Sequence, residues 1–227
     1  NLTNYDHSGE GLGALMEKLL KALGSDMRLR LSSMEPDHVD DRLLNAVADY
    51  RVQPHFHIPI QSASDKVLKV VNRNYSIEHV WHIIKTLRSI KDDPFIACDV
   101  IAGLPGEDDD EFMVTYNFMK DVEFAAMHVF PYSPRPETPL YSIKKRPEER
   151  VRDERAEMLR KLSAKQSHEY VARQLGKECE ILLEKKNEGT TGNYLKAKIK
   201  TPEGFVLTPG GLYKGRFSSV FPLEVSL

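Results

Sequence analysis

Apolar residues return at three- and four-residue spacing in four stretches of the first 142 residues, and short apolar runs alternate with these stretches. The first periodic stretch is GLGALMEKLLKALG, with Leu12, Leu15, Met16, Leu19, Leu20 and Leu23 on one face, which predicts an amphipathic helix closed by Gly24 as its C-cap. RLRLSS then reads as a strand, DDRLLNAVADY as a helix and HFHIPIQS as a strand. In SIEHVWHIIKTLRSI, Ser76 is the expected N-cap, and Ile77, Val80, Trp81, Ile84 and Leu87 face inward. The near-continuous run FIACDVIAGLPGE predicts a strand covered on both faces. DDDEFMVTYNFMKDV predicts a helix whose acidic first turn complements its dipole, and AAMHVFPY is the fourth strand.

This alternation predicts an α/β fold built from four βα units around a parallel sheet, either doubly wound or part of a barrel. Four strands are too few to close a barrel, so further strands are expected upstream. Residues 146–175 carry one long helical pattern, opened by Pro147 in its first turn, with Val151, Met158, Leu159, Leu162 and Val171 as a sparse apolar stripe. Its segment KKRPEERVRDERAEMLRKLSAK holds nine basic and five acidic residues, which suits a solvated helix laced with ion pairs as well as a nucleic-acid face. Beyond Gly176 the texture changes to ECEILLEK, NYLKAKIK, FVLTP and GRFSSVFPLEVSL, separated by Gly and Pro turns. Such short segments predict a small all-β barrel or sandwich. The expected division is residues 1–170, ending in the long connecting helix, and 171–227.

Charge sharpens this division. Residues 1–142 carry 14 Lys and Arg against 22 Asp and Glu, while residues 143–227 carry 18 against 12, so only the last third attracts phosphate. No apolar run has the length of a membrane span, and the N-terminus lacks the pattern of a secretion signal, so a cytoplasmic protein without membrane association is expected. Two cysteines, Cys98 and Cys179, lie far apart in different predicted elements and indicate neither a disulfide framework nor a thiolate metal site. Cys98 reads as a small buried hydrophobe.

Candidate chemistry gathers at the C-terminal ends of the four strands, in SSMEP, PIQSASD, DVIAGLPGEDDDEF and PYSPRPETP. That rim is where α/β proteins place their sites. Glu35 and Asp65 also suit plain helix caps. Gly103 and Gly106 permit positive φ and close backbone approach to a ligand, yet GLPGE lacks the ending of a phosphate loop, and its acidic neighbours repel phosphate. A neutral or cationic, adenosine-like ligand fits better. Gln61 and Ser62 offer an amide and a hydroxyl, and Arg73 offers a carboxylate clamp. No Ser-His-Asp order or His-rich metal spacing stands out, and His55 and His57 read as packed residues.

HFHIPIQSASDKVLKVVNRNY, DVIAGLPGEDDDEF and MHVFPYSPRPETP together resemble the radical S-adenosylmethionine (SAM) methylthiotransferases, and TTGNYLKAKI resembles their RNA-binding TRAM domain. The resemblance runs from about residue 28 to the C-terminus. HVFPYSPRPETP is most similar to the branch that acts on N6-threonylcarbamoyladenosine beside the tRNA anticodon. Glu137 and Leu140 stand where that branch usually has Gly and Ala, and Ala63 where it usually has Gly. The resemblance implies part of a radical SAM (β/α) barrel followed by an OB-like TRAM barrel. It implies SAM as cofactor, two 4Fe-4S clusters in the complete enzyme, and the tRNA anticodon stem-loop as partner. The cluster cysteines are absent from this sequence, so the remaining, N-terminal part of the same enzyme is an expected partner, and the chain alone is expected to be inactive.

By the same resemblance, Glu35, Gln61, Ser62, Arg73, Asp99, Gly103, Glu107 and Tyr132 would surround the cofactor, Tyr132 lying with Arg135 at the substrate mouth. Arg135, Lys196, Lys198 and Arg216 would meet substrate RNA. Lys185, Lys186, Lys200 and Lys214 would extend the basic face, with Tyr194 and Phe217 as stacking rings, although lysines on the solvent side of strands and aromatics in the core explain the pattern as simply. Rival readings are an isopentenyladenosine or ribosomal-protein methylthiotransferase, and a non-catalytic RNA-binding adaptor.

Overall fold

The computed structural model describes residues 2–227. A two-residue hairpin, β1 (Asp6–His7) with β2 (Glu10–Gly11), leads into helices α1 (Leu12–Ala22) and α2 (Asp41–Val47). Then follow β3 (His55–Gln61), α3 (Asp65–Val70), α4 (Ile77–Ile90), β4 (Phe95–Ala102), α5 (Asp109–Val122), β5 (Ala126–Pro131) and α6 (Glu149–Ala172). The chain ends in β6 (Glu178–Lys185), β7 (Glu188–Thr191), β8 (Lys196–Lys200), β9 (Leu212–Val220) and β10 (Leu223–Ser226).

Strands β3, β4 and β5 form a parallel sheet in that order, with Pro59 opposite Asp99 and Asp99 opposite His128. Phe56, Ile58, Ile60, Ile96, Cys98 and Val100 are fully buried beneath the helices. On the other face Ala97 is buried, His57, Asp99 and Ile101 are half-buried and His128 and Phe130 exposed, so the expected cover is complete on one face and partial on the other. Val80, Ile83, Ile84 and Leu87 of α4 are buried, Ile77 and Trp81 pack at the core's margin, and Ser76 caps the helix by accepting from the His79 N–H.

Three expected elements before the small barrel differ. RLRLSS makes only two isolated parallel bridges, Leu29 with Val52 and Ser33 with His57. Its arginines turn to the small barrel instead: Arg28 forks onto Glu180 with two 2.7 Å bonds, and Arg30 donates to the Gly192 and Thr191 carbonyls. Helix α1 ends one residue earlier than expected, at an extended Leu23 that replaces Gly24 as cap. Helix α6 starts at Glu149, which leaves Pro147 outside the first turn, and Met158 points outward.

Helix α6 adds buried polar groups to its sparse apolar stripe. Its inward face is Arg155, Ala156, Leu159, Leu162, Gln166 and Tyr170. The Gln166 amide donates to the Met119 and Lys120 carbonyls at the end of α5, satisfying acceptors that a helix end leaves open. Ser163 accepts from Met127 N–H, and Ser167 donates to the Ala125 carbonyl, so this helix seals the free edge of the sheet at β5.

The last five strands close into a barrel in the order β10-β8-β7-β6-β9, around Tyr170, Ile181, Leu183, Ala197, Ile199, Phe217 and Val225. FVLTP is a loop with Phe205 and Val206 exposed, whereas Glu188–Thr191 forms the strand that apolar patterning misses. The barrel is fastened at the N-terminal end of the sheet. Asp93, just before β4, accepts from Arg173, Gln174 and Lys177, and Tyr170 packs edge-on against Phe95.

Candidate functional site

At the C-terminal end of β3 the ladder shifts register, and Gln61 adopts a left-handed φ of 65°, leaving its side chain half-buried at the rim. Ser62 turns inward, contrary to expectation. It is fully buried and its hydroxyl bonds Thr115 and the Ser64 N–H, so it secures the turn and offers no free group to a ligand. Ser64 caps α3, while the Asp65 carboxylate accepts from the Ile77 N–H at the start of α4.

Glu35 and Arg73 meet at 2.7 Å, an ion pair between the loop after RLRLSS and the loop after α3. Glu35 makes no cap bond to the short helix it precedes. Tyr75 donates to the Pro59 and Ile60 carbonyls and ties the Arg73 loop to the end of β3.

The GLPGE turn is held from beneath. Gly103 and Gly106 have φ of 79° and 87°, and a Cβ on Gly103 would lie 2.1 Å from Arg152 Cγ, so both conformation and space demand glycine there. Glu107, 3% exposed, accepts from the Gly103 N–H at 2.7 Å and from Arg155 at 2.8 Å. Burial pushes its carboxyl up, against the pull of the Gly103 N–H and Arg155. Arg155 also reaches Asp109 at 2.6 Å and stacks over Phe112. Glu107 therefore supports the loop from inside, where a ligand-facing role had been expected.

Tyr132 is likewise packed, 8% exposed against Val67 and Leu104, and its carbonyl accepts from Arg152. Arg135 stands exposed in the proline loop beyond it, on a turn closed by Thr138 Oγ1 donating to the Arg135 carbonyl. Glu137, where the resembling branch usually has Gly, sits at φ 66°. That left-handed backbone explains the preference for glycine.

Asp99 lies within β4, four residues before Gly103. It bonds His57 Nε2 at 3.0 Å, and His57 Nδ1 bonds Ser33 Oγ at 2.7 Å. The His128 ring lies 5.5 Å from that of His57. A hydrogen-bonded Ser33–His57–Asp99 chain thus exists with a second imidazole beside it. Sequence reasoning missed it because the three strands meet only through register. The one signal was polar residues at alternate positions of otherwise apolar strands.

The basic positions of the barrel lie near the opposite end of the sheet, so the structure does not gather them with Arg135. Lys196 pairs with Glu184, Arg216 with Glu178 and Lys200 with Glu224, leaving Lys198 as an exposed lysine of β8 without an acidic partner among the described residues. Phe217 is buried in the barrel core and cannot stack on a base. Tyr194 is half-exposed, held between Arg30 and His55 at the joint between the two domains. His55, packed as expected, has its pKa lowered to about 4 by burial and by Arg30.

A parallel sheet whose C-terminal rim carries this glycine turn defines a class. The chain belongs to the radical SAM superfamily, whose family model matches residues 5–119. Two curated relatives carry a more particular name, threonylcarbamoyladenosine tRNA methylthiotransferase MtaB. That of Treponema pallidum (strain Nichols) is 32% identical over 92% of this chain and 44% of its own length; that of Aquifex aeolicus (strain VF5) is 34% identical over 84% and 46%. The chain therefore spans less than half the length of these relatives. Coproporphyrinogen III oxidase (HemN) from Escherichia coli, a radical SAM enzyme, superposes with a TM-score of 0.55 at 18% identity, covering 67% of this chain and 36% of the oxidase. It shares the fold.

The superfamily implies SAM and a 4Fe-4S cluster. The thiols of this chain do not fit the cluster: Cys98 is sealed in β4 with its pKa raised by burial, and Cys179 lies in the small barrel, pushed up to about 12. Thiolates hold such clusters, so no step through one is assigned to these residues. No helix among the described residues is long and apolar enough to cross a membrane.

Proposed function

We propose that this chain carries the cofactor rim and RNA-binding barrel of a methylthiotransferase for N6-threonylcarbamoyladenosine in tRNA, working in the cytoplasm with cluster-bearing sequence outside it. The observation that carries this reading is the alignment with the Treponema relative over 92% of the chain, which includes both the rim loops and the small barrel. Gln61, the Glu35–Arg73 pair and the Gly103 backbone are the groups that would hold SAM. Arg73, already charge-paired, would take up the methionine carboxylate by exchanging Glu35 for it. Ser62, Glu107 and Tyr132 would act from behind, keeping the loops in shape, and Arg135 would face the substrate.

The small barrel has the strand content of a TRAM domain and an exposed lysine at Lys198, with Lys196 and Arg216 available to RNA once their acidic partners are displaced. Its attachment at the far end of the sheet supports a partner that touches two places. A seven-residue strand spans roughly 20 Å, which an anticodon stem-loop bridges and a free nucleoside does not.

The test is deletion of the gene in its host, followed by mass spectrometry of total tRNA nucleosides. Loss of 2-methylthio-N6-threonylcarbamoyladenosine, with its unthiolated precursor accumulating, is expected. Loss of the isopentenyl analogue would move the substrate to the other branch. An unchanged methylthio nucleoside pool would overturn the tRNA reading in favour of a ribosomal-protein substrate or a non-catalytic adaptor.

A further inference from the structure

The open face of the parallel sheet carries a group of side chains that the proposed function does not use. His57, Asp99 and His128 come from three adjacent strands, and one ligand-capable atom of each lies within 4.8 Å of the other two. We propose that these three side chains bind a divalent transition-metal ion through two imidazole nitrogens and one carboxylate oxygen.

Four observations support the site. First, the separation of 3.0 Å between His57 Nε2 and Asp99 Oδ1 is close to that of two ligands sharing one metal at about 2.0–2.2 Å. A rotation of the exposed His128 ring brings in the third. Second, His57 is held as metal-bound histidines are held, its other nitrogen fixed by an outer partner. Ser33 Oγ lies 2.7 Å from Nδ1. A hydroxyl both donates and accepts, so Ser33 satisfies either tautomer of His57. The ring can thus give its Nε2–H to Asp99 without metal, or its Nε2 lone pair to a cation with Nδ1–H on Ser33.

Third, among the described residues no Lys or Arg pairs with Asp99, and the polar partner of its carboxylate is His57. Fourth, the His128 side chain makes no hydrogen bond among the described residues and its ring lies against that of His57, so an imidazole is placed there with a nitrogen to spare. Two imidazoles and a carboxylate without thiolate suit zinc, ferrous iron or cobalt, and leave coordination positions open toward solvent. Neither cysteine of this chain belongs to the group. The inference does not rest on the tRNA reading and survives its failure.

The test is a titration of the full chain, prepared without a polyhistidine tag, with Co2+, read by visible d–d absorption and by displacement with Zn2+ in calorimetry. One Co2+ per chain is expected, with bands that vanish in His128→Asn and Asp99→Asn and persist in His38→Asn, which lies outside the group. Ser33→Ala should bind about tenfold more weakly, the usual loss when an outer partner is removed. His128 is exposed, so its variant is expected to melt like the parent, as circular dichroism will check. Absence of a one-to-one complex, or bands that survive in a folded His128→Asn, would overturn the proposal. Should either variant fail to fold, the parent decides: Zn2+ raises its melting temperature if the native state binds the ion, and an unchanged melting temperature counts against the site.

Discussion

The two faces of the parallel sheet are made by the same three strands and obey different rules. Phe56, Ile58, Ile60, Ile96, Cys98 and Val100 look toward the helices and are wholly buried. Their neighbours in sequence, His57, Asp99 and Ile101, look the other way and are only half-buried. One face stores the stability of the domain, and the other displays polar groups at fixed spacing. A strand of period two lets one segment do both.

The largest expected effect would break the comparison at its stable side. Phe56→Ala removes a fully buried ring from the centre of the core and should cost about 3–5 kcal/mol, as cavity-forming substitutions do. On the other face, His128→Asn should stay within about 0.5 kcal/mol of the parent. Urea denaturation of both variants measures the contrast, and equal losses would show that the open face carries core packing too.

Next comes the support beneath the rim. Arg155→Met leaves the Glu107 carboxylate buried with only the Gly103 N–H as partner, and breaking such a buried pair from one side costs about 3 kcal/mol. Adding Glu107→Gln should return much of that loss, because the orphaned charge is gone. Chemical denaturation of the two variants tests this, and a double variant no better than the single would mean that the arginine acts mainly through Asp109 and Phe112.

A smaller gain is expected at the proline loop. Glu137 holds φ at 66°, and an L-residue in that region costs roughly 1–2 kcal/mol relative to glycine. Glycine also loses more freedom on folding, so Glu137→Gly should stabilise by about 1 kcal/mol or less. A rise of a few degrees in melting temperature would be the sign of it.

How much of this was legible follows from the same division. Helix α4 was readable to its cap because Ser76, Val80, Ile84 and Leu87 express local rules, and the three strands were readable because apolar runs between helices have few other uses. Helix α6 was not. Its inward groups, Arg155, Ser163, Gln166 and Ser167, bond backbone and carboxylate partners that hydrophobic periodicity does not register. Fold level was thus clear, while Ser62 and Glu107 looked like contact residues until burial placed them inside, and burial chose the core for Phe217, which the sequence had left open. The His57–Asp99–His128 group needed strand register, which exists only once the sheet has formed.

An effect that shows only in acid sharpens the comparison at the joint between the domains, where His55 shares the open face with His57 but is covered by Tyr194 and Phe95. Its folded pKa is about 4, against 6.5 in an unfolded chain, with burial as the first cause and Arg30 as the second. Above pH 6.5 the ring is neutral in both states and stability is unaffected. As pH falls below 6.5 the unfolded chain takes up a proton that the folded one refuses, so stability declines until about pH 4, where the folded state is protonated as well. His55→Gln should flatten that segment of the stability profile. It should leave untouched the separate loss below pH 3.8, where Asp49, held at about 2 by Arg51, is forced to protonate. Melting temperatures between pH 7 and 4 decide it: an unchanged slope in the variant would mean that His55 is already solvated in the folded chain, and that the barrel does not close over this end of the sheet.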